Sequence, residues 1–163
     1  PGLIIKKRRA MARLIITRCF KSYNINAYIG RTPLTAAAIY GEEEMLRLLC
    51  ERKDVDIHKQ DGGGDTALHY ASLTGQVGCI RILLDVGKAD VDALSGRSFT
   101  ALHRAALNGH LESAALLIER GTKVNLVANN VYTPLDRAHS VYCNSAQIIE
   151  FLKSKGAKRA SEL

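Results

Sequence analysis

Two histidines, His69 and His103, stand one apparent period apart in this 163-residue chain. Imidazoles can serve as bases or metal ligands, but a shared zinc needs donors about 2 Å from one ion. Two groups on successive packed elements sit roughly 10 Å apart, so a structural role is favoured. The run Gln60-Asp61-Gly62-Gly63-Gly64-Asp65 could form a phosphate cradle. No Gly-Lys-Ser/Thr follows it, and Asp61 and Asp65 would repel phosphate, so a flexible loop tip is expected. Cys19, Cys50, Cys79 and Cys143 form no C-x-x-C pair. That argues against a zinc site or a disulfide framework, and for reduced thiols in a cytoplasmic protein, with the nucleus as the alternative. Glu42-Glu43-Glu44 reads as a solvated helix start whose acids suit the positive end of the helix dipole. No Ser/His/Asp or Cys/His set stands out. No catalytic residue, metal site or cofactor is assigned, and folding is expected to need neither metal nor nucleotide.

The elements that must position these residues are short helices. Ser98 to Leu126 shows the pattern best. Thr100 can cap a helix carrying Leu102, Ala105 and Ala106 on one face. Asn108-Gly109 stops it, as a left-handed C-terminal residue does. A second helix from Leu111 carries Ala114, Ala115, Leu116, Leu117 and Ile118, and Gly121 ends it. Helices this short are marginal alone in water and need similar neighbours.

The neighbours are repeats of the same pattern. Thr-x-Leu recurs at Thr32-Pro33-Leu34, Thr66-Ala67-Leu68, Thr100-Ala101-Leu102 and Thr133-Pro134-Leu135, in steps of 34, 34 and 33 residues. An alanine follows at the fifth place each time: Ala37, Ala71, Ala105 and Ala138. This resembles the ankyrin repeat, whose signature is T-P-L-H-x-A at a period near 33. The resemblance runs from about Ile25 to Ala157. It implies an all-α solenoid of helix pairs with β-hairpin fingers, acting as a protein-binding surface. It also implies that His69 and His103 are structural, with Thr35 and Asp136 at the equivalent places.

The chain then divides as a single domain over residues 1–163. Residues 1–26 form a partial N-terminal repeat or cap, followed by repeats at 27–60, 61–94 and 95–127. Residues 128–163 form a fourth repeat and C-terminal cap, whose tail from Lys158 to Leu163 is expected to fray. Lys88 reads as a one-residue insertion after Gly87. An aromatic content of 6% fits alanine-lined helix stacking better than a large globular core. No run of 18 apolar residues is present, so no membrane span is expected. A first residue of Pro suggests a fragment or a processed chain.

Seven of the 23 basic residues, and none of the 16 acids, lie in residues 1 to 21. The remainder is neutral, which argues against a protein-wide nucleic-acid surface. Lys6-Lys7-Arg8-Arg9 resembles a short import signal, but the favoured reading is the wet face of a terminal helix.

The resemblance places the partner-binding face on the residue before each Thr, on the fingers, and late in each first helix. Those positions hold Arg31, Asp65, Phe99 and Tyr132, then Tyr28, Arg97 and Asn129, then Tyr40, Tyr70, Thr74, Arg104, Asn108 and Arg137. Tyr and Arg dominate interface hot spots. Phe99 reads as solvent-facing, with no folding duty. The cluster Arg97, Phe99, Arg104, Tyr132 and Arg137 suggests a protein or peptide partner with acidic and apolar side chains. No small-molecule substrate is expected, nucleic acid and membrane are disfavoured, and the chain is expected to be a monomer. The alternatives are a targeting or inhibitory region cut from a larger protein, and a basic-tailed nucleic-acid or membrane adaptor. In this family asparagines at such hairpin approaches can be hydroxylated. Asn125, with Leu117 eight residues before it, is the candidate here.

Overall fold

The computed structural model describes residues 30–140 and 145–163. Among the described residues eight α-helices follow one another: α1 Pro33–Tyr40, α2 Glu43–Cys50, α3 Ala67–Leu73, α4 Val77–Asp85, α5 Ala101–Leu107, α6 Leu111–Glu119, α7 Pro134–Ala138 and α8 Ala146–Ser154. The expected partial repeat, with Tyr28, Cys19 and the basic run Lys6 to Arg9, lies outside the described residues, as does Cys143.

Each first helix starts for the same reason. Thr32, Thr66, Thr100 and Thr133 are extended N-cap residues, and each forms a reciprocal capping box with the side chain three residues on. Such a box satisfies amides that the first turn cannot pair internally. Pro33 and Pro134 open α1 and α7, where a missing N–H costs nothing. Gly41, Gly75 and Gly109 take left-handed φ between the two helices of a pair, at 73°, 74° and 72°.

The helices pack as two rows. The first helices α1, α3, α5 and α7 pack in succession, and the second helices α2, α4, α6 and α8 do the same. Equivalent leucines line the first row: Leu34, Leu68, Leu102 and Leu135 are each no more than 2% exposed. Ala37, Ala71, Ala105 and Ala138 are fully buried, so small side chains let neighbouring repeats approach closely. Leu49, Leu83, Leu117 and Leu152 repeat through the second row. No repeat has a private core, as in any quasi-one-dimensional stack.

Two expectations change. The fingers are tight turns, not extended hairpins: among the described residues the sole pairing is an isolated antiparallel bridge between Ala128 and Tyr132. Asp61, Ser95 and Ala128 each donate their amide to the carbonyl four residues on, at Asp65, Phe99 and Tyr132. Each of their carbonyls in turn accepts from the amide three residues on, so the turn closes in five residues and leaves no length for strands. Second, the C-terminal tail is folded. Ala157 is buried, and a 3-10 helix spans Ala160–Glu162. The insertion at Lys88 is accommodated in the turn that follows α4. Gly87 is crowded, since a Cβ there would meet the Leu83 carbonyl and Cys50 Sγ. The left-handed turn moves one residue on, to Lys88 at φ 54°.

Adjacent fingers touch through backbone. Gly96 donates to the Gly63 carbonyl at 3.0 Å, and a Cβ on Gly64 would collide with the Gly96 amide. Gly64 also holds φ at 77°. Gly64→Ala therefore combines left-handed strain of about 1–2 kcal/mol with a clash against rigid backbone. It is expected to lower stability by at least that amount in urea unfolding, whereas Gly62→Ala, with φ outside the left-handed region, should cost less.

Candidate functional site

The histidines are consumed by the fold. His69 Nδ1 accepts from the Thr66 amide at 3.1 Å and sits 2.9 Å from Thr66 Oγ1. Its Nε2 lies 2.9 Å from the Phe99 carbonyl in the next repeat, an acceptor, so Nε2 carries the proton. His103 repeats this with Thr100 and with the Tyr132 carbonyl at 3.0 Å. Both rings are 1% exposed. Burial pushes the His103 imidazole down to about 4, against a partial lift from the Tyr132 carbonyl. His69 is lowered for the same leading reason. Each neutral ring is thus a relay from a helix cap to the following finger.

The two exceptions in the series behave differently. Thr35 Oγ1 closes its bonds locally on Thr32. Asp136 Oδ2 accepts from the Thr133 amide, Thr133 Oγ1 and the Ala160 amide, all at 2.9 Å. Burial pulls the Asp136 carboxyl up, but these bonds outweigh it and hold it below its ordinary range. In the last repeat a carboxylate thus ties down the tail, where a histidine elsewhere ties down the next finger.

The Gly63 and Gly64 amides both close on Asp61. Asp61 Oδ1 accepts from Gly63 N at 2.8 Å and from Asp65 N at 3.0 Å, so a carboxylate already fills the place a phosphate would take. Asn125 holds two chain segments together: Nδ2 donates to the Gly156 carbonyl at 3.1 Å, and Oδ1 accepts from the Lys158 amide at 2.8 Å. Cys50 and Cys79 are free thiols, both pushed up to about 11, by burial first. Among the described residues no group of three or more His, Cys, Asp or Glu could hold a metal, and no helix is long and apolar enough to cross a membrane.

The residue before each Thr meets the fourth residue after the next Thr. Arg31 stacks over the Tyr70 ring, 4.7 Å from its centroid, and Nη2 reaches Tyr70 Oη at 3.3 Å. Tyr70 Oη donates to Asp61 Oδ2 at 2.5 Å. Asp65 takes both its carboxylate oxygens to Arg104 Nη2, at 2.8 and 2.7 Å. Phe99 lies under Arg137, with the guanidinium 4.9 Å from its ring centroid. These contacts form a ladder of cation, aromatic and carboxylate rungs between repeats.

The ladder corrects the expected binding set. Phe99 is 6% exposed and Tyr70 8%, so neither is a free surface residue. Phe99 packs edge-on against His103, with ring centroids 5.6 Å apart, and Arg104 also covers it at 5.5 Å. The double change Phe99→Ala with Arg104→Glu therefore cannot leave melting unchanged, since it removes a buried ring and reverses a charge facing Asp65. Asn108 is exposed but its amide bonds the Arg104 carbonyl at 3.0 Å. Tyr40, Arg97, Asn129 and Tyr132 are exposed, and Arg31 and Arg137 are half-buried.

Sequence reasoning passed over three residues that surface here. Leu94 is 49% exposed, Val127 38% and Val131 54%, beside Tyr132 at 41%. All four sit on the two neighbouring fingers that enter α5 and α7. Leu94 and Val127 occupy the same finger position one repeat apart, a match that the repeat register itself contains. The corresponding residue of the preceding finger is Gln60, whose side chain bonds the Leu94 carbonyl at 2.9 Å. Charge divides the same way. Residues 30–94 carry seven Lys and Arg against eleven Asp and Glu, whereas residues 95–163 carry nine against five.

A family model described as ankyrin repeats (3 copies) matches residues 4–95. A second, described as ankyrin repeats (many copies), matches residues 83–138. Comparison with the curated proteins gives no match.

Proposed function

We propose, since this chain belongs to the ankyrin repeat family, whose repeats are in general protein–protein interaction modules, that it binds a protein segment along the fingers of its last two repeats. The binding is non-enzymatic, and the occupant is an acidic segment with large apolar side chains. The observation that carries this is the exposed row of Leu94, Val127, Val131 and Tyr132 on adjacent fingers, in or at the edge of the stretch 95–163, which has a basic excess where the described residues before it have an acidic one. Solitary exposed apolar residues need no explanation, but four on two successive turns make a patch of the kind that marks interaction sites.

The ladder supports this reading by removing competitors. The Asp65 carboxylate is held by Arg104, and Asp136 by Thr133 and Ala160. Two acids of the fingers and first helices are thereby occupied. Arg97 is exposed beside Leu94, and an acidic partner meets a favourable field there. Tyr132 is stacked on by Arg137, at 5.5 Å, which holds its ring in one orientation and reduces the ordering cost on binding.

Selection of random peptides on the immobilised chain tests this. Recovered sequences are expected to share Asp or Glu next to Leu, Ile or Phe, with binding that weakens as salt is raised. A basic consensus, or no consensus, would overturn it.

A further inference from the structure

The structure assigns Ser161 as a phosphorylation site for a basic-directed serine/threonine kinase, placed where a phosphate would oppose the proposed acidic partner. The first support is sequence. Of all the Ser and Thr in the chain, Ser161 alone has basic residues at both the second and third places before it, in Lys158-Arg159-Ala160-Ser161. Two cations at that spacing match a kinase whose peptide groove carries acids, through charge-assisted bonds stronger than neutral ones.

The second support is presentation. Lys158, Arg159 and Ser161 are all exposed. The two hydroxyls that follow an arginine at the third place are withdrawn. Thr100 is fully buried as a helix cap, and Ser140 Oγ is buried without a partner among the described residues. Ser161 lies in the short 3-10 helix Ala160–Glu162, attached to repeat 4 by the Asp136 bond to the Ala160 amide. The Asn125 side chain also holds the Lys158 amide; these two side-chain bonds can open, and the tail extend into a kinase groove, without opening a repeat.

The third support is position. Ser161, Arg159 and Ala160 line a cavity of about 390 Å³ together with Val131, Tyr132, Asp136 and His139. Two finger residues of the proposed binding face, Val131 and Tyr132, thus share this cavity with Ser161. In the transfer, Ser161 Oγ forms a bond to the γ-phosphorus of a nucleoside triphosphate as the bond to the β-phosphate oxygen breaks. The nucleoside diphosphate leaves, and the hydroxyl proton passes to the kinase's base. The product carries nearly two negative charges. It faces the Asp136 carboxylate and stands beside Tyr132, where it repels an acidic segment. This consequence rests on the proposed function; the modification does not.

The test incubates the folded full chain with ATP and a purified basic-directed kinase, and in parallel with an acid-directed one. Mass spectrometry of the digest should place one phosphate on Ser161 with the first kinase alone. Ser161→Ala should remove it, and Arg159→Ala should slow it by about tenfold, the effect of one charge-assisted bond. Phosphate at other residues, modification of the free peptide 156–163 but not of the folded chain, or indifference to Arg159→Ala would overturn the assignment. The modified protein is then titrated with a peptide recovered in the selection above, and about tenfold weaker binding is expected at low salt. Unchanged binding would overturn the opposition to the partner while leaving the mass result standing. A failed selection would count against the proposed function instead.

Discussion

Leu117→Ala is expected to lower the unfolding free energy by about 2–5 kcal/mol, the range for buried leucines whose cavity cannot collapse. Leu117 is fully buried in α6, within the core that α4 and α8 share. In a linear stack the damage is not confined to one repeat, because each interface stabilises both sides. The loss should therefore appear in one cooperative urea transition or split it at the α6 boundary. A loss under about 0.5 kcal/mol, the scale of an ordinary surface change, would mean that Leu117 does not sit between repeats.

Acid is expected to unfold the stack in two windows. An unfolded histidine takes up a proton near pH 6.5, but folded His103 resists it until about pH 4. Between those values the unfolded state binds more protons, so stability falls as pH falls. The stability tied to this neutral ring is complete above pH 6.5 and lost near pH 4. From 6.5 to about 4 the loss is on the order of 3 kcal/mol for His103, and His69 shifts in the same direction. Asp61 and Asp136 are held below 3.8 in the fold. Their contribution persists through this window and is lost only at lower pH. Urea unfolding at pH 7 and pH 4.5 checks the first window. His103→Thr, which copies the local cap that Thr35 makes, should flatten it by roughly half. A wild-type stability that is level between those two pH values would contradict the relay.

The helix pairs were legible because their signals are local. The four Thr-x-Leu steps mark the caps, and the alanines and leucines mark the packing faces, so period and composition suffice. The interrepeat ladder was not legible, because its rungs join residues 38 or 39 positions apart through side-chain directions that a period does not carry. Phe99 shows the consequence. Its place before Thr100 marks it for the open face, yet two guanidiniums and His103 cover it. The tail was missed for a related reason. Lys158 to Leu163 is polar and reads as frayed, but Asp136 replaces histidine in its repeat and supplies an acceptor that only a folded-back amide can use. The patch on the fingers lay hidden behind attention to the residue before each Thr. Leu94 and Val127 stand five residues earlier, where the finger turn projects them outward.

The measurement that bears most directly on the account is a calorimetric titration of one selected peptide against three forms of the full chain. Val131→Asp with Tyr132→Ala removes the apolar anchor and adds a repelling acid on an exposed turn. It is expected to weaken binding by about 2 kcal/mol or more, roughly thirtyfold, with melting nearly unchanged. Arg81→Glu, on the exposed side of α4, should bind as the unaltered chain does. Equal affinity for all three forms, or a loss confined to Arg81→Glu, would contradict a binding face on the last two fingers.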